Sequence, residues 1–384
     1  MHIAFLTPEF PHPKTLHVGG LGTSIKNLVH ALAQSVEKVT VIVYGQKTDE
    51  VIQENNITIY LIQDQKYAFA KWFFYRKHIE KRVNQIISSE KIDAVEAPDW
   101  TGITAFMKFS VPLVLRFHGS DTYFCHLENR NQKRKNYWFE KLAINGAQAF
   151  IAPTQFAGDL SQKLFSIKNK EIRTIHYGLE LEKFHNPNPN DFQKGLILYL
   201  GTIIRKKGVF ELPEIFNLVR KEYPKAQLLL IGNDSRDIQT GNSSTWQMVE
   251  NSFDTDDLKQ VTYLGKIPYS EVQQYIKKAN VCIFPTFAET LGMVTIESMA
   301  MQKAVVNSNI GWAQELIDDG KNGYLVHPKN HTEYAQRIVS LVSDENLNEQ
   351  IRSQALQKVK DTFSIDKCVQ QNIDFYSQLI QKTT

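Results

Sequence analysis

Short, almost wholly apolar runs alternate with helix-patterned stretches along the whole chain, and that alternation leaves few folds open. A strand without a polar face must be covered on both sides, and helices between successive strands supply the cover. The pattern therefore specifies parallel sheets in an α/β protein. The early runs are Ile3–Leu6, Val39–Val43, Ile57–Ile62, Ala94–Glu96, Leu113–Phe117, Ala149–Ala152 and Ile172–His176, with helical periodicity over Ser24–Ala33 and Tyr137–Asn145. At His185-Asn186-Pro187-Asn188-Pro189-Asn190 the alternation stops, and this segment reads as a linker. It restarts with Leu196–Leu200, Leu228–Ile231, Val261–Leu264, Val281–Phe284, Ala304–Asn307 and Gly323–Val326, separated by helices over Phe210–Lys221, Tyr269–Lys278, Val294–Ala300 and Thr332–Val342. The chain has 384 residues, beyond the roughly 250–300 at which one core stops growing. Two doubly wound domains are expected, residues 1–185 and 186–365. Ligands of such sheets bind outside the carboxyl ends of the strands, so a site is expected in a central cleft between two facing halves.

With 42% hydrophobic and 22% charged residues, disordered and fibrous classes are excluded. The three cysteines, Cys125, Cys282 and Cys368, are odd in number and far apart, which argues against a disulfide framework or a CxxC zinc site and for a cytoplasmic protein. Met1–Leu6 has no basic flank, and Thr7-Pro8-Glu9 ends it too early for a secretion signal. The net charge is +3, but it is unevenly spread: residues 1–190 hold 23 Lys and Arg against 18 Asp and Glu. The excess lies in Lys66–Arg82, where Tyr67, Phe69, Trp72, Phe73, Phe74 and Tyr75 are interleaved with cations, and in Arg130–Lys141 beside Tyr137, Trp138 and Phe139. Either these are surface helices whose aromatics face the core, or they contact an anionic membrane. No recognition motif for nucleic acid accompanies the charge.

Four segments carry chemistry. Gly19-Gly20-Leu21-Gly22-Thr23 follows the first strand and opens a helix, so its backbone N–H groups either meet an anion or merely form a tight loop. His118-Gly119-Ser120-Asp121 stands at a strand's carboxyl end; the histidine either contacts substrate or is a turn residue with Asp121 capping a helix. Arg205-Lys206-Lys207-Gly208 follows the first strand of the second half, as a diphosphate clamp or a solvated charge run. In Phe284–Ala300, Glu289 lies in a loop and Glu297 eight positions later on the next helix. Thr290, Leu291, Gly292, Met293 and Val294 form the helix start, whose N–H groups suit a phosphate. A carboxylate at Glu297, between Ile296 and Met299, is costly without hydrogen-bond donors such as a ribose diol. Asp254-Thr255-Asp256 has the form of a metal-binding triplet but reads as helix capping, so no metal and no cofactor is expected.

These segments, in this order and with Val305-Val306-Asn307 after Met301-Gln302-Lys303, resemble glycosyltransferase family 4, retaining enzymes of GT-B architecture, over essentially the whole chain. The resemblance implies two Rossmann-like domains with a last helix, 366–384, packing back on the first through Val369, Ile373, Tyr376, Leu379 and Ile380. It implies a nucleotide-diphosphate sugar donor, a UDP-sugar above all, and a glycan or lipid-linked acceptor. Gly19 and Gly20 face the donor phosphates, His118 contacts the sugar near C6, and Lys207 stabilises the leaving diphosphate. Glu289 lies on the 3-hydroxyl side and Glu297 holds the ribose. Two positions depart from the family. Thr202 stands where an arginine is usual, which passes the phosphate role to Arg205 or Lys206. Tyr177-Gly178-Leu179-Glu180 replaces an Asn-Gly-Val/Ile-Asp segment. The implied chemistry is metal-independent, front-face transfer in which a phosphate oxygen accepts the acceptor's proton. The acceptor side falls to the first domain: Asp99 and Trp100, with Asp121, Tyr123 and His126 nearby. The alternative for Asp99 and Trp100 is a capping aspartate and a core tryptophan. An epimerase and a non-catalytic sugar-nucleotide-binding subunit are the other functions this architecture admits.

Overall fold

A computed structural model describes residues 1–16, 19–36 and 38–383. The chain divides into two compact units, Met1–Gly178 with Ile365–Thr384, and Leu179–Ser364.

The first unit holds β1 (His2–Thr7), β2 (Lys38–Gln46), β3 (Glu50–Glu54), β4 (Ile57–Gln63), β5 (Ala94–Pro98), β6 (Leu113–Arg116), β7 (Ala149–Ala152) and β8 (Ile172–Thr174). Their order is β3-β4-β2-β1-β5-β6-β7-β8. The sheet is parallel, in the register His2↔Lys38 to Thr7↔Val43 between β1 and β2, except that β3 runs antiparallel to β4. The sequence reading did not anticipate β3. It is an edge strand joined to β4 at Asn55-Asn56, Asn55 taking φ +50°, and its Glu50 and Glu54 put charge at both ends of an open edge.

The last helix, Ile365–Thr383, belongs to this unit. Val369, Phe375, Tyr376 and Leu379 join a cluster with Ile25, Val29 and Leu32 of the helix Gly20–Ser35. A buried polar knot fixes it further. Arg116 Nε donates to Glu96 Oε1 at 2.7 Å, and its Nη2 donates to Asn372 Oδ1 at 2.6 Å. Tyr376 Oη donates to Glu96 Oε2 at 2.5 Å.

The second unit holds β9 (Leu196–Leu200), β10 (Gln227–Ile231), β11 (Val261–Tyr263), β12 (Val281–Phe284), β13 (Ala304–Asn307) and β14 (Tyr324–Leu325), all parallel, in the order β11-β10-β9-β12-β13-β14. Its core packs the helices Leu212–Glu222 and His331–Ser343 against the sheet through Leu212, Phe216, Tyr334 and Ile338. The stretch before Asp257, which lacks apolar periodicity, contains the short helices Thr245–Glu250 and Thr255–Leu258. The proline–asparagine segment is pinned to this unit rather than hanging between two: Asn186 Nδ2 donates to Met301 O at 3.1 Å, and Arg352 Nη1 donates to Pro189 O.

Candidate active site

In the second unit the strand order reverses between β9 and β12, the place where open α/β sheets leave a crevice at the strand ends. The loops leaving those two strands are locked together. Phe287 and Ala288 donate their N–H groups to Lys206 O at 2.8 and 3.2 Å. Gly208, at φ +71°, closes the 3-10 turn Arg205–Lys207, and a Cβ there would sit 1.7 Å from Pro285 O, so no other residue fits. The lock brings the Lys207 ammonium onto the Glu289 carboxylate in a half-buried ion pair. Burial pushes the Glu289 carboxyl up, but Lys207 and the Thr290 N–H, at 3.0 Å from Oε1, outweigh it and hold the group below its usual range.

The helix that follows is Met293–Ala300, within one residue of the Val294–Ala300 expected; Gly292 takes φ +94° and acts as its N-cap, so Thr290 and Leu291 fall before it. Thr290 and Leu291 are buried in the turn before it, and Met293 and Val294 carry its first N–H groups, which have no intrahelical acceptor. Glu297 is buried, not an exposed helix position. Burial raises its carboxyl, and the Tyr269 hydroxyl, donating to Oε1 at 2.6 Å, only partly counters that.

Arg205 stands in the turn where the sequence placed it, but it is paired there with an acid. Its Nε and Nη2 grip both oxygens of Asp237 at 2.7 and 3.0 Å, and its guanidinium lies 4.2 Å from the Phe210 ring centroid. The charge expected on a diphosphate is thus engaged by the loop 232–245, and Arg205 in turn holds the Asp237 carboxyl down at about 2. Thr202 is half-buried, its carbonyl accepting from Tyr199 Oη at 3.3 Å. The Asp254 and Asp256 side chains diverge: Asp254 is the N-cap of Thr255–Leu258 and accepts from Asn217, whereas Asp256 pairs with Lys259. Among the described residues, no group of three or more His, Cys, Asp or Glu is placed to hold a metal.

In the first unit the strand order reverses between β1 and β5. Gly19 is the N-cap of Gly20–Ser35, and the helix start already faces an acid: Glu9 Oε1 accepts from Gly22 N–H at 2.8 Å, and a Cβ on Gly19 would meet Oε2 at 2.7 Å. Asp99, after β5, is buried. Its Oδ1 accepts the His118 backbone N–H at 2.9 Å while Oδ2 lacks a partner, and burial pushes the carboxyl up to about 7. Trp100 is 46% exposed, which removes the core-tryptophan alternative. The His118 imidazole is pushed down to about 3 by burial and by the Arg116 guanidinium, so it is neutral. Its Nδ1 lies 2.7 Å from Tyr177 Oη, within the segment that departs from the family pattern.

Ser120, not Asp121, caps the next helix, Asp121–Leu127, accepting from Tyr123 N–H at 3.1 Å. Asp121 is occupied by Asn136 Nδ2 at 3.0 Å and Arg130 Nη2 at 3.3 Å. Tyr123 is 1% exposed and packs in the core, so it offers no surface to an acceptor; His126 is exposed. The sequence reading missed Glu9, Tyr177, Asp237, Tyr269 and also Glu140, whose buried carboxylate accepts the N–H groups of Asp121 and Thr122 at 2.9 and 3.1 Å. Glu140 had one signal, as the lone acid in a basic helix, Arg134–Gly146.

Two α/β units with largely parallel sheets and loops of this kind at both reversal points have the GT-B fold, and comparison with known proteins agrees and adds the family. Residues 18–183 match the family described as Glycosyltransferase Family 4, and residues 181–358 match Glycosyl transferases group 1. The chain belongs to this glycosyltransferase family. It is 25% identical to an uncharacterized glycosyltransferase of Methanocaldococcus jannaschii over 97% of this chain and 98% of that protein. It is 27% identical to the capsular polysaccharide biosynthesis glycosyltransferase CapM of Staphylococcus aureus, over 59% of this chain and 61% of that one. Among solved structures, sucrose-phosphate synthase from Thermosynechococcus elongatus superposes with a TM-score of 0.80 at 20% identity, covering 99% of both chains. Anabaena HepE in complex with UDP superposes with a TM-score of 0.75 at 18% identity, covering 98% of this chain and 100% of that one.

Proposed function

We propose that the protein is a retaining, metal-independent hexosyltransferase that moves a sugar from a UDP-sugar to a glycan or lipid-linked acceptor in cell-surface polysaccharide or glycoconjugate biosynthesis. It would act in the cytoplasm, with a peripheral membrane contact through Lys66–Arg82. The observation that carries this reading is the joined pair Lys207–Glu289 at the end of β9 and β12, with Glu297 buried on the helix that follows. A diphosphate arriving at the start of Met293–Ala300 competes with Glu289 for Lys207. The ammonium and the helix N–H groups then face the charge that develops on the leaving group. Glu289, released, is left to accept sugar hydroxyls. Neutral His118 donates or accepts a hydrogen bond and carries no charge to the sugar. The binding of UDP by HepE supports the choice of base, and CapM supports the choice of pathway.

The test is hydrolysis and transfer of UDP-hexoses, monitored by release of UDP with and without EDTA, against a glycan acceptor panel. Release that is insensitive to EDTA, lost in Lys207→Met, and yields an α-linked product from an α-donor supports the reading. Epimerised free sugar, or nucleotide binding without turnover, replaces it with one of the two alternatives.

A further inference from the structure

The basic and aromatic residues of the first unit do not lie where the sequence alone suggested. Of the cations in the second half of Lys66–Arg82, Arg76, Lys77 and Arg82 are engaged within the chain and Lys81 is exposed. Arg76 is buried, donates to the carbonyls of Trp72, Thr101 and Gly102, and lies 4.4 Å from the Phe139 ring centroid. Lys77 is bound to Glu80 and Phe106 O, and Arg82 faces Asp49 at 3.6 Å. The aromatics, in contrast, are not all turned into the core. Phe69 is 80% exposed and Trp138 60%, with Trp72 and Phe74 each more than two-fifths exposed.

These rings form one surface. Tyr67, Phe74, Phe73 and Trp72 touch in succession, with centroids 5.6–5.9 Å apart. Trp72 then meets Phe139 at 5.4 Å, on the helix Arg134–Gly146 that carries Trp138. The contact places the starts of the helices Lys71–Glu90 and Arg134–Gly146 side by side. Both starts are electrostatically inverted. Neither has an acid in its first turn or a side-chain cap, and they carry exposed Lys71, and exposed Arg134 and Lys135, on helix ends that are already positive. None of these three makes an ion pair among the described residues, and Lys135 lies 5.6 Å from the Phe139 centroid.

We propose that this face, formed by the first turns of the two helices and the rings between them, docks on an anionic lipid bilayer, with Phe69, Trp72 and Trp138 entering the headgroup boundary. An array of headgroup phosphates supplies the negative charge that both helix starts lack, and indole and phenyl rings favour the boundary between apolar and wet layers. No helix among the described residues is long and apolar enough to cross a membrane, so the contact is peripheral.

The test is co-sedimentation of the full chain, without nucleotide, with vesicles of phosphatidylcholine alone or of equal parts phosphatidylcholine and phosphatidylglycerol. The wild type is expected to bind the anionic vesicles, more weakly as salt rises, and the neutral ones poorly. Each of Lys71→Ala, Arg134→Ala and Lys135→Ala should weaken binding about fivefold, and the triple variant on the order of a hundredfold. Phe69→Ser with Trp138→Ser should abolish the blue shift of tryptophan fluorescence that accompanies binding. Lys81→Ala, about 15 Å further along its helix and beyond a Debye length of about 8 Å, should bind like the wild type. Melting temperatures and UDP binding of each variant separate loss of the surface from loss of the fold. Absence of wild-type binding to anionic vesicles, or a triple variant that binds undiminished, overturns the proposal. So does a dimer on a sizing column that these substitutions dissolve, because the face would then join two copies of the chain. The face gives the peripheral contact of the proposed function its residues and rests on that part of it; since no nucleotide is present, any of these failures removes the membrane contact and leaves the sugar-transfer reading untouched.

Discussion

Replacing Glu297 with glutamine should move stability and nucleotide affinity in opposite directions. The carboxylate is 7% exposed and receives a hydrogen bond from Tyr269 Oη at 2.6 Å. Burial raises its pKa, so the stability it contributes is present below the ordinary carboxyl range and is lost as pH rises through the folded value. Wherever the group is ionised, its charge is therefore a cost to the protein without nucleotide. Glutamine keeps an acceptor for Tyr269 and removes that charge. A gain of about 1 kcal/mol is expected, which corresponds to a melting temperature about 2–4 °C higher for a domain of this size. Bonds from ribose hydroxyls to a carboxylate are worth about 1.5–3 kcal/mol each, against about 0.5–1.5 for neutral partners. Losing the charge and one acceptor oxygen should cost about 2 kcal/mol in binding, or a UDP dissociation constant about 30-fold higher. Scanning calorimetry without ligand and titration calorimetry with UDP read the two quantities separately. A variant that is less stable yet binds UDP like the wild type would refute the reasoning and make Glu297 a structural partner of Tyr269.

Three further outcomes follow from the first unit. Asp99, raised to about 7, stabilises at low pH and loses that contribution as pH rises from about 4 to 7, while His118, lowered to about 3, does the reverse from about 3 to 6.5. The two slopes cancel over their common window, so Asp99→Asn should expose a stability that falls by up to about 1.4 kcal/mol per pH unit on acidification from pH 6 to 4, measured by urea denaturation. Glu9→Ala should cost about 1 kcal/mol, because the helix Gly20–Ser35 has no side-chain cap of its own, and Glu9→Gln less than that. Arg116→Met should cost about 3–5 kcal/mol by leaving Glu96 buried without its cation, and Arg116→Met with Glu96→Leu should recover most of it, read in the same denaturation series.

What the sequence disclosed and what it hid divide along physical lines. Ala149–Ala152, Leu196–Leu200, Val281–Phe284 and Ala304–Asn307 were read to the residue because a strand buried on both faces is built almost wholly of apolar side chains. The edge strand Glu50–Glu54, half in water, has no such constraint and left no signature. Glu289, Lys207 and Glu297 were legible because each sits at a fixed offset from such a strand. Their partners were not: Asp237 reaches Arg205, and Tyr177 reaches His118, across 32 and 59 residues of chain, and no local pattern encodes contacts of that range. Lys66–Arg82 was legible in part. Its composition was read correctly, but Arg76 is buried and Lys77 and Arg82 are paired with acids, which composition cannot show.

A common logic joins the carboxylates that sequence reading missed to the one it found. Glu9 lies on the start of Gly20–Ser35, Glu140 accepts the first two N–H groups of Asp121–Leu127, and Glu289 holds Lys207 beside the start of Met293–Ala300. Each supplies the unliganded chain with negative charge where helix dipoles or an ammonium leave positive potential. Glu140 is buried under two backbone N–H groups and a threonine hydroxyl, so its bonds are permanent and serve to aim the turn that carries His118. Glu289 and Lys207 are each only half-buried, and on the function proposed above their pair exchanges for one between Lys207 and the diphosphate. For a phosphate at Lys207, binding is then a replacement of one anion by another, and the net affinity is the difference between two similar ion pairs. Such a site gains little from simply holding a diphosphate. It gains more as charge builds on the leaving oxygen, when the lysine meets more negative charge than the carboxylate it gave up and the helix N–H groups add to it.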